Sequence, residues 1–300
     1  MRLGTRRSAL ARWQAEEVAR RLRALGLECD LVPLDTSGDR RRDVPLAAIG
    51  GKGLYTQELE AGLLSGALDL AVHSLKDVPS LLPGGLTLAA MLERADPRDA
   101  LVAAAGTTLA TLPRKARVGT SSLRRQAQLL ALRPDLEVLP LRGNVDTRLG
   151  RWRAGAFDAV LLAAAGLDRL GLAVDIAERL DPAQFLPSAG QGIIVIECRA
   201  GDAATLAAIA ALNHAPTATA ATAERAVLRR LDCGCQAPVA AHATLAGDAL
   251  TLTALAASPD GTRVVREQAS GLASDPAALG ERVAEALLAA GAEPLLARQS

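Results

Sequence analysis

The chain has 300 residues, half of them hydrophobic, enough for two or three domains with sizeable cores and no disulfide framework. Its 34 basic and 33 acidic residues leave a formal net charge of +1, which argues against attachment to nucleic acid through bulk electrostatics. The Arg-rich start, residues 1–26, lacks an apolar run of signal-peptide length, and the longest apolar stretch, 159–165, is far too short to cross a membrane. Four cysteines (Cys29, Cys198, Cys233, Cys235) make no spaced disulfide ladder, which fits a reducing compartment. Lys52, Lys76 and Lys115 are the only lysines, so an isolated Arg says little here and a placed Lys says more.

The first two thirds alternate short apolar strands with helical segments, the pattern of an α/β architecture. A strand is expected around Leu3. Ser8 then caps a helix with Leu10, Trp13, Val18, Leu22 and Leu25 on one face, and Gly26 stops it. Residues 31–34 read as a strand, 54–64 as a helix ended by Gly66, and 68–73 as a buried strand. A second block opens near Arg98, with strands at 100–104, 117–120, 136–141 and 157–163 and helices from Leu123 and Val145. The blocks share an element order without a convincing residue-level repeat. From about Pro216 the pattern changes to a helix over 217–231, strands at 239–245, 250–256 and 263–268, and a last helix over 276–290. Strands followed by a helix predict a small α+β domain.

Three strand-to-helix corners share one chemistry: Gly4-Thr5-Arg6-Arg7-Ser8, then Gly119-Thr120-Ser121-Ser122-Leu123-Arg124-Arg125, then Arg142-Gly143-Asn144-Val145-Asp146-Thr147-Arg148. Helix N-termini offer free N–H groups and partial positive charge, which bind anions. An arginine in the first turn opposes the helix dipole at about 0.3–1 kcal/mol unless an anion joins it. One such corner reads as an ordinary cap beside solvated arginines. Three of a kind favour a polyanionic ligand held at strand carboxyl ends.

His73-Ser74-Leu75-Lys76-Asp77-Val78-Pro79 closes a buried strand with an ionisable cluster. Asp77 either shapes the turn or presents a carboxylate to a cleft with Lys76 beside it; His73 also suits a satisfied core histidine. Gly50-Gly51-Lys52-Gly53 lacks the spacing of a nucleotide-binding loop. Cys233-Gly234-Cys235 has no second Cys/His pair for zinc, so no metal is expected, and each thiol is either inert and buried or an exposed nucleophile.

With these residues in hand, the chain closely resembles the porphobilinogen deaminase (hydroxymethylbilane synthase) family over nearly its whole length. The resemblance runs from Thr5-Arg6 through GGKGL, HSLKDVP, RADPRDA, GTSSLRRQ, LRGNVDTRL, LAAAGLDRLG and LPSAGQG to ECR, LNH, TAERA and GCQAP. It implies two domains like type II periplasmic binding proteins around a cleft, plus a small C-terminal α+β domain. Residues 1–95 with 193–214 would form the first, 96–192 the second and 215–300 the third. The implied activity joins porphobilinogen units head to tail, with loss of ammonia, into hydroxymethylbilane. The implied cofactor is a dipyrromethane held by a thioether to Cys235.

By the same resemblance Asp77 is the catalytic carboxylate. Ser74, Lys76, Thr120, Ser121, Arg124, Arg125, Arg142 and Arg148 would hold the cofactor. Arg6, Ser8, Gln14, Lys52, Tyr55 and Arg169 would hold substrate. A cytoplasmic monomer with a small-molecule substrate and no nucleic-acid or membrane partner is implied. Three positions depart from the family pattern: Ala48 for a common Lys, Tyr55 for a usual Phe, and Cys233 for a common Gly. The rival reading is a non-catalytic solute-binding protein for a polycarboxylate, which explains the cationic corners but neither Asp77 nor the Cys235 loop. A nucleic-acid reading lacks basic excess and stacking aromatics, with two Trp, two Phe and one Tyr in the chain.

Overall fold

The computed structural model describes residues 1–40, 53–233 and 237–296. The chain forms two compact units, Met1–Ala95 with Gly192–Ala218, and Asp96–Gln191 with Thr219–Ser300. The elements begin with β1 (Arg2–Arg6), α1 (Ala9–Ala24), β2 (Asp30–Leu34), the short α2 (Ser37–Arg40), α3 (Gln57–Leu64) and β3 (Leu70–Ser74). A 3₁₀ turn (Leu75–Asp77) and β4 (Leu86–Met91) follow. Next come β5 (Asp99–Val102), β6 (Arg117–Gly119), α4 (Leu123–Leu132), β7 (Glu137–Leu139), α5 (Val145–Arg153), β8 (Ala159–Ala163), α6 (Ala164–Arg169) and β9 (Ile176–Arg179). The chain continues through β10 (Ile194–Arg199), α7 (Ala203–Ile209), α8 (Ala215–Arg230), β11 (Val239–Ala246), β12 (Ala249–Ala257), β13 (Val264–Leu272), α9 (Pro276–Ala289) and α10 (Glu293–Leu296).

The first sheet has the order β2-β1-β3-β10-β4 and the second β7-β6-β8-β5-β9. In each, four strands run parallel and one, β10 or β5 in the equivalent fourth place, runs antiparallel to both its neighbours. The expected α/β class and shared element order hold. The structure adds a repeat of contacts at one corner of each sheet. In the first sheet Arg2 donates from its backbone and guanidinium to the Asp69 carboxylate and from Nη2 to the Gly66 carbonyl. Arg117 does the same to Asp158 and Gly155 in the second. Gly66-Ala67-Leu68-Asp69 and Gly155-Ala156-Phe157-Asp158 are thus one motif in two copies.

Local chemistry accounts for the elements at these corners. The Ser8 hydroxyl caps α1 by accepting from the Ala11 N–H at 3.3 Å, and Arg21 and Arg23 occupy its last turn, where the dipole favours cations. Its buried residues Ala15, Val18 and Leu22 recur at helical spacing and pack with Leu3, Leu70 and Ile194. The third sheet, β11-β12-β13, is antiparallel and buries Leu250, Leu252 and Ala254 against Val227, Leu279 and Val283. Helix α3 begins at Gln57 rather than at 54, because residues 53–56 form a turn in which Gly53 takes φ 85°. Strands β4, β9 and β10 were not expected; β9 carries Glu178 and Arg179, whose charges mask a strand pattern.

Candidate active site

Strands β1 and β3 are parallel neighbours, so their carboxyl ends lie side by side. From them Arg6, Ser74 and Asp77 reach one pocket, joined by Ser8 and Gln14 of the α1 start and by Tyr55. Asp77 gets there because its turn is pinned on both flanks. Leu75 and Val78 are buried, the Leu75 N–H donates to the Ile193 carbonyl at 3.0 Å, and the Val78 N–H closes on Leu75. Lys76 and Asp77, between two anchored apolar residues, are left partly exposed. Gln14 is buried and donates from Nε2 to the Ser74 hydroxyl at 2.8 Å, tying α1 to the end of β3. The Arg6 guanidinium carbon sits 4.2 Å from the centre of the Tyr55 ring, a cation–π stack.

Behind the pocket lies a buried acidic cluster. His73 Nε2 is 3.0 Å from Glu197 Oε2, which settles His73 as a partnered core residue. Glu60 of α3 is buried nearby; burial, and then the Glu197 charge, push its carboxyl above the usual carboxylate range. One oxygen of each carboxylate, Glu60 Oε1 and Glu197 Oε1, has no hydrogen-bond partner among the described residues.

In the second unit the Ser122 hydroxyl caps α4 by accepting from Arg125 N–H at 3.4 Å. Arg124 and Arg125 do not reach solvent. Arg124 donates to the Asp99 carboxylate at 2.7 Å and to the Leu186 carbonyl, and Arg125 donates to Asp99 at 2.9 Å and to the Leu161 carbonyl. The anion that this arginine pair calls for therefore comes, at least in part, from within the chain. Burial alone would raise the Asp99 carboxyl, but the two guanidiniums overcome it and hold it well below the usual carboxylate range. Both guanidiniums stay charged, and Asp99 is a carboxylate that they share. Beside it the Ser121 hydroxyl is buried with no partner among the described residues, while Thr120 Oγ1 accepts from the Ser122 N–H at 3.2 Å.

At the third corner Asn144 is the N-cap residue but makes no side-chain cap bond, and Arg148 Nε donates to the Gly143 carbonyl at 2.7 Å. Arg142 is partly exposed there, and Arg169 ends α6. Cys233 is a buried member of the C-terminal core, its backbone N–H turned onto the Leu228 carbonyl. Cys235, Lys52 and Ala48 lie outside the described residues. Among the described residues, no group of three His, Cys, Asp or Glu is placed to hold a metal ion and no helix is long and apolar enough to cross a membrane.

The structure thus brings together Arg6, Ser8, Gln14, Tyr55, Ser74 and Asp77, all named from the sequence. Asp99, Glu60 and Glu197 were given no role there. A signal for Asp99 existed: two arginines opening a helix demand an anion, and an Asp at a buried strand start supplies one.

Comparison with known proteins completes the description. Residues 1–207 match the family model described as porphobilinogen deaminase, dipyromethane cofactor binding domain, and residues 218–289 match its C-terminal domain. A porphobilinogen deaminase of Syntrophotalea carbinolica is 53% identical over 299 residues, covering 99% of this chain and 95% of the relative. That of Moorella thermoacetica is 53% identical over 298 residues, with the same coverage. A periplasmic substrate-binding protein from Coxiella burnetii is structurally similar, with TM-score 0.43 and 16% identity over 75% of this chain and 96% of that one.

Proposed function

The chain belongs to the porphobilinogen deaminase family, and from that premise we propose that Asp77 is its catalytic carboxylate and Cys235 the anchor of its cofactor. The protein is a transferase of tetrapyrrole biosynthesis that joins porphobilinogen units into hydroxymethylbilane with release of ammonia, and its cofactor is a dipyrromethane. The solute-binding alternative is not favoured, since relatives matched along the full length carry the deaminase name.

The residues present fit that cofactor. Each pyrrole carries an acetate and a propionate, so the ligand is polyanionic. Arg124 and Arg125 place two guanidinium charges at this corner, and the buried Ser121 hydroxyl has a hydrogen bond to give. Ser121, Arg125, Arg142 and Arg148 would hold its carboxylates, with Ser74, Lys76, Thr120 and Arg124 around them. When bound, it supplies the pyrrole α-carbon from which the chain grows. Cys233 is already engaged in the C-terminal core, which favours Cys235 as the thiol that carries it.

A single observation carries the role of Asp77: its carboxylate and the Arg6 guanidinium open on one pocket at adjacent strand ends. Arg6, with Ser8, Gln14, Lys52 and Arg169, would take the carboxylates of porphobilinogen, with Tyr55 stacked on Arg6. Asp77 would then face its aminomethyl group. Loss of ammonia leaves the methylene carbon cationic, and attack by the neighbouring pyrrole moves that charge onto the ring, which must shed its α-proton. A fixed carboxylate stabilises both positive centres and can hold that proton. We also read the chain as three domains, 1–95 with 193–214, 96–192 and 215–300, in a cytoplasmic monomer.

The test is single-turnover ammonia release by Asp77→Asn, with the adduct on Cys235 checked by intact mass and peptide mapping. Release is expected to slow by about 10²–10³ at unchanged thermal midpoint and unchanged adduct mass. Release at the wild-type rate from a loaded, folded variant would reduce Asp77 to a turn former. A fully active protein without an adduct would remove Cys235 from the reading.

A further inference from the structure

We propose that Tyr55 is a positioning residue for Arg6 and that Gly38, which is not among the described residues lining the pocket, fixes the place of its ring. The inference rests on the reading of Arg6 as a carboxylate-binding residue.

Stacking at 4.2 Å covers one face of the guanidinium. The planar edge, with its fork of N–H donors, is the part that bonds a carboxylate in bidentate fashion. An arginine held by a ring has already lost much of the rotamer freedom that binding would otherwise cost. Tyr55 thus presents Arg6 edge-on to the substrate rather than binding the substrate through its own hydroxyl.

The ring is itself held from behind. Tyr55 lies in the 53–56 turn, closed by the Thr56 and Gln57 N–H groups on the Gly53 carbonyl. Helix α2 is tied once to this turn and once to α3: the Gly38 N–H donates to the Leu54 carbonyl at 2.9 Å, and Glu58 of α3 accepts from the Ser37 N–H at 2.8 Å. These bonds press the Gly38 backbone against the ring. A Cβ at position 38 would lie 2.3 Å from Tyr55 Cε1 and 2.5 Å from Cδ1. A planar ring cannot fold out of the way as the tip of a flexible side chain does, so any residue but glycine displaces it from Arg6. The chain of cause is Gly38 to Tyr55 to Arg6.

Tyr55 is the only tyrosine, so protein labelled with ring-¹³C tyrosine carries a signal from this ring alone. That signal is expected to shift in Arg6→Leu, which removes the cation, and in Gly38→Ala, which moves the ring. In steady state, Tyr55→Leu is expected to raise KM for porphobilinogen about three- to tenfold, the worth of one cation–π contact, with kcat changed far less. Gly38→Ala should raise KM similarly, and the Gly38→Ala/Tyr55→Leu double variant should be no worse than Tyr55→Leu alone. Additive losses in the double variant, an unmoved KM in Tyr55→Leu, or an unmoved ring signal in Arg6→Leu would each overturn the proposal. If Gly38→Ala does not fold, Tyr55→Leu and Arg6→Leu still decide it. An Arg6→Leu enzyme with wild-type KM would instead overturn the carboxylate-binding reading beneath it.

Discussion

The two five-stranded blocks are wired alike and charged oppositely. Both are bolted at the same corner, Arg2 to Asp69 and Gly66 in one, Arg117 to Asp158 and Gly155 in the other. Both carry a buried acid on the antiparallel strand in the fourth place, Glu197 on β10 and Asp99 on β5. In the first block that acid shares its surroundings with a second carboxylate, Glu60, and one imidazole. In the second it faces two guanidiniums. Topology and the bolts set the scaffold; the identity of a few buried side chains sets the sign of the charge within it. An acid-rich interior lies behind the proposed catalytic pocket, and a cation-rich one lies in the block proposed to hold the polyanionic cofactor.

The sharpest way to break this comparison is to take the acid out of the second block. Asp99→Asn removes the carboxylate that two buried guanidiniums share, and removing one partner of a buried ion pair costs about 3–5 kcal/mol. Denaturant unfolding should show that loss, and a variant within about 1 kcal/mol of wild type would mean that the arginines find other anions. Stability against pH separates the blocks by sign. The Asp99 carboxyl is depressed, so its contribution is present above the ordinary carboxylate pKa and is lost as pH falls towards the folded value. The Glu60 carboxyl is raised, so its contribution is present below that ordinary value and is lost as pH rises through the folded one. Glu60→Gln should therefore flatten the fall of thermal midpoint on the alkaline side of the ordinary Glu range, at about 1.4 kcal/mol per pKa unit of separation. An unaltered profile would show that Glu60 ionises as it would in water. The smallest effects belong to the bolts: Asp69→Asn and Asp158→Asn remove partly exposed pairs worth about 0–1 kcal/mol each. Equal small shifts in melting temperature would confirm the equivalence of the two corners, and a large loss in one alone would deny it.

Much of this was readable in the chain. Apolar runs bounded by glycine, such as the one that became β3, and caps such as Ser8 and Ser122 are local signals, and the elements they mark are present. Arg6, Ser74 and Asp77 stood out because each ends a strand or follows one, whereas Gln14 and Tyr55 were named through the family resemblance alone. What escaped was non-local. The partner of His73 lies 124 positions away, and no periodicity links the two. That Arg124 and Arg125 also meet an anion from within the chain was not readable at the helix start, because Asp99 comes to them from β5. The bolt motif escaped because its Arg and its Asp belong to different strands, so the repeat is one of contacts more than of contiguous letters.

The place of β10 has a consequence for how the protein is made. It is the middle partner of β3 and β4, yet the chain reaches it only after every strand of the second sheet. As the polypeptide leaves the ribosome, β3 and β4 must wait with unpaired edges, and His73 waits without Glu197, while residues 99–179 already contain all that the second sheet needs. Pairings distant in sequence form late, and exposed strand edges are where chains go astray. The block that is written first is the one that closes last.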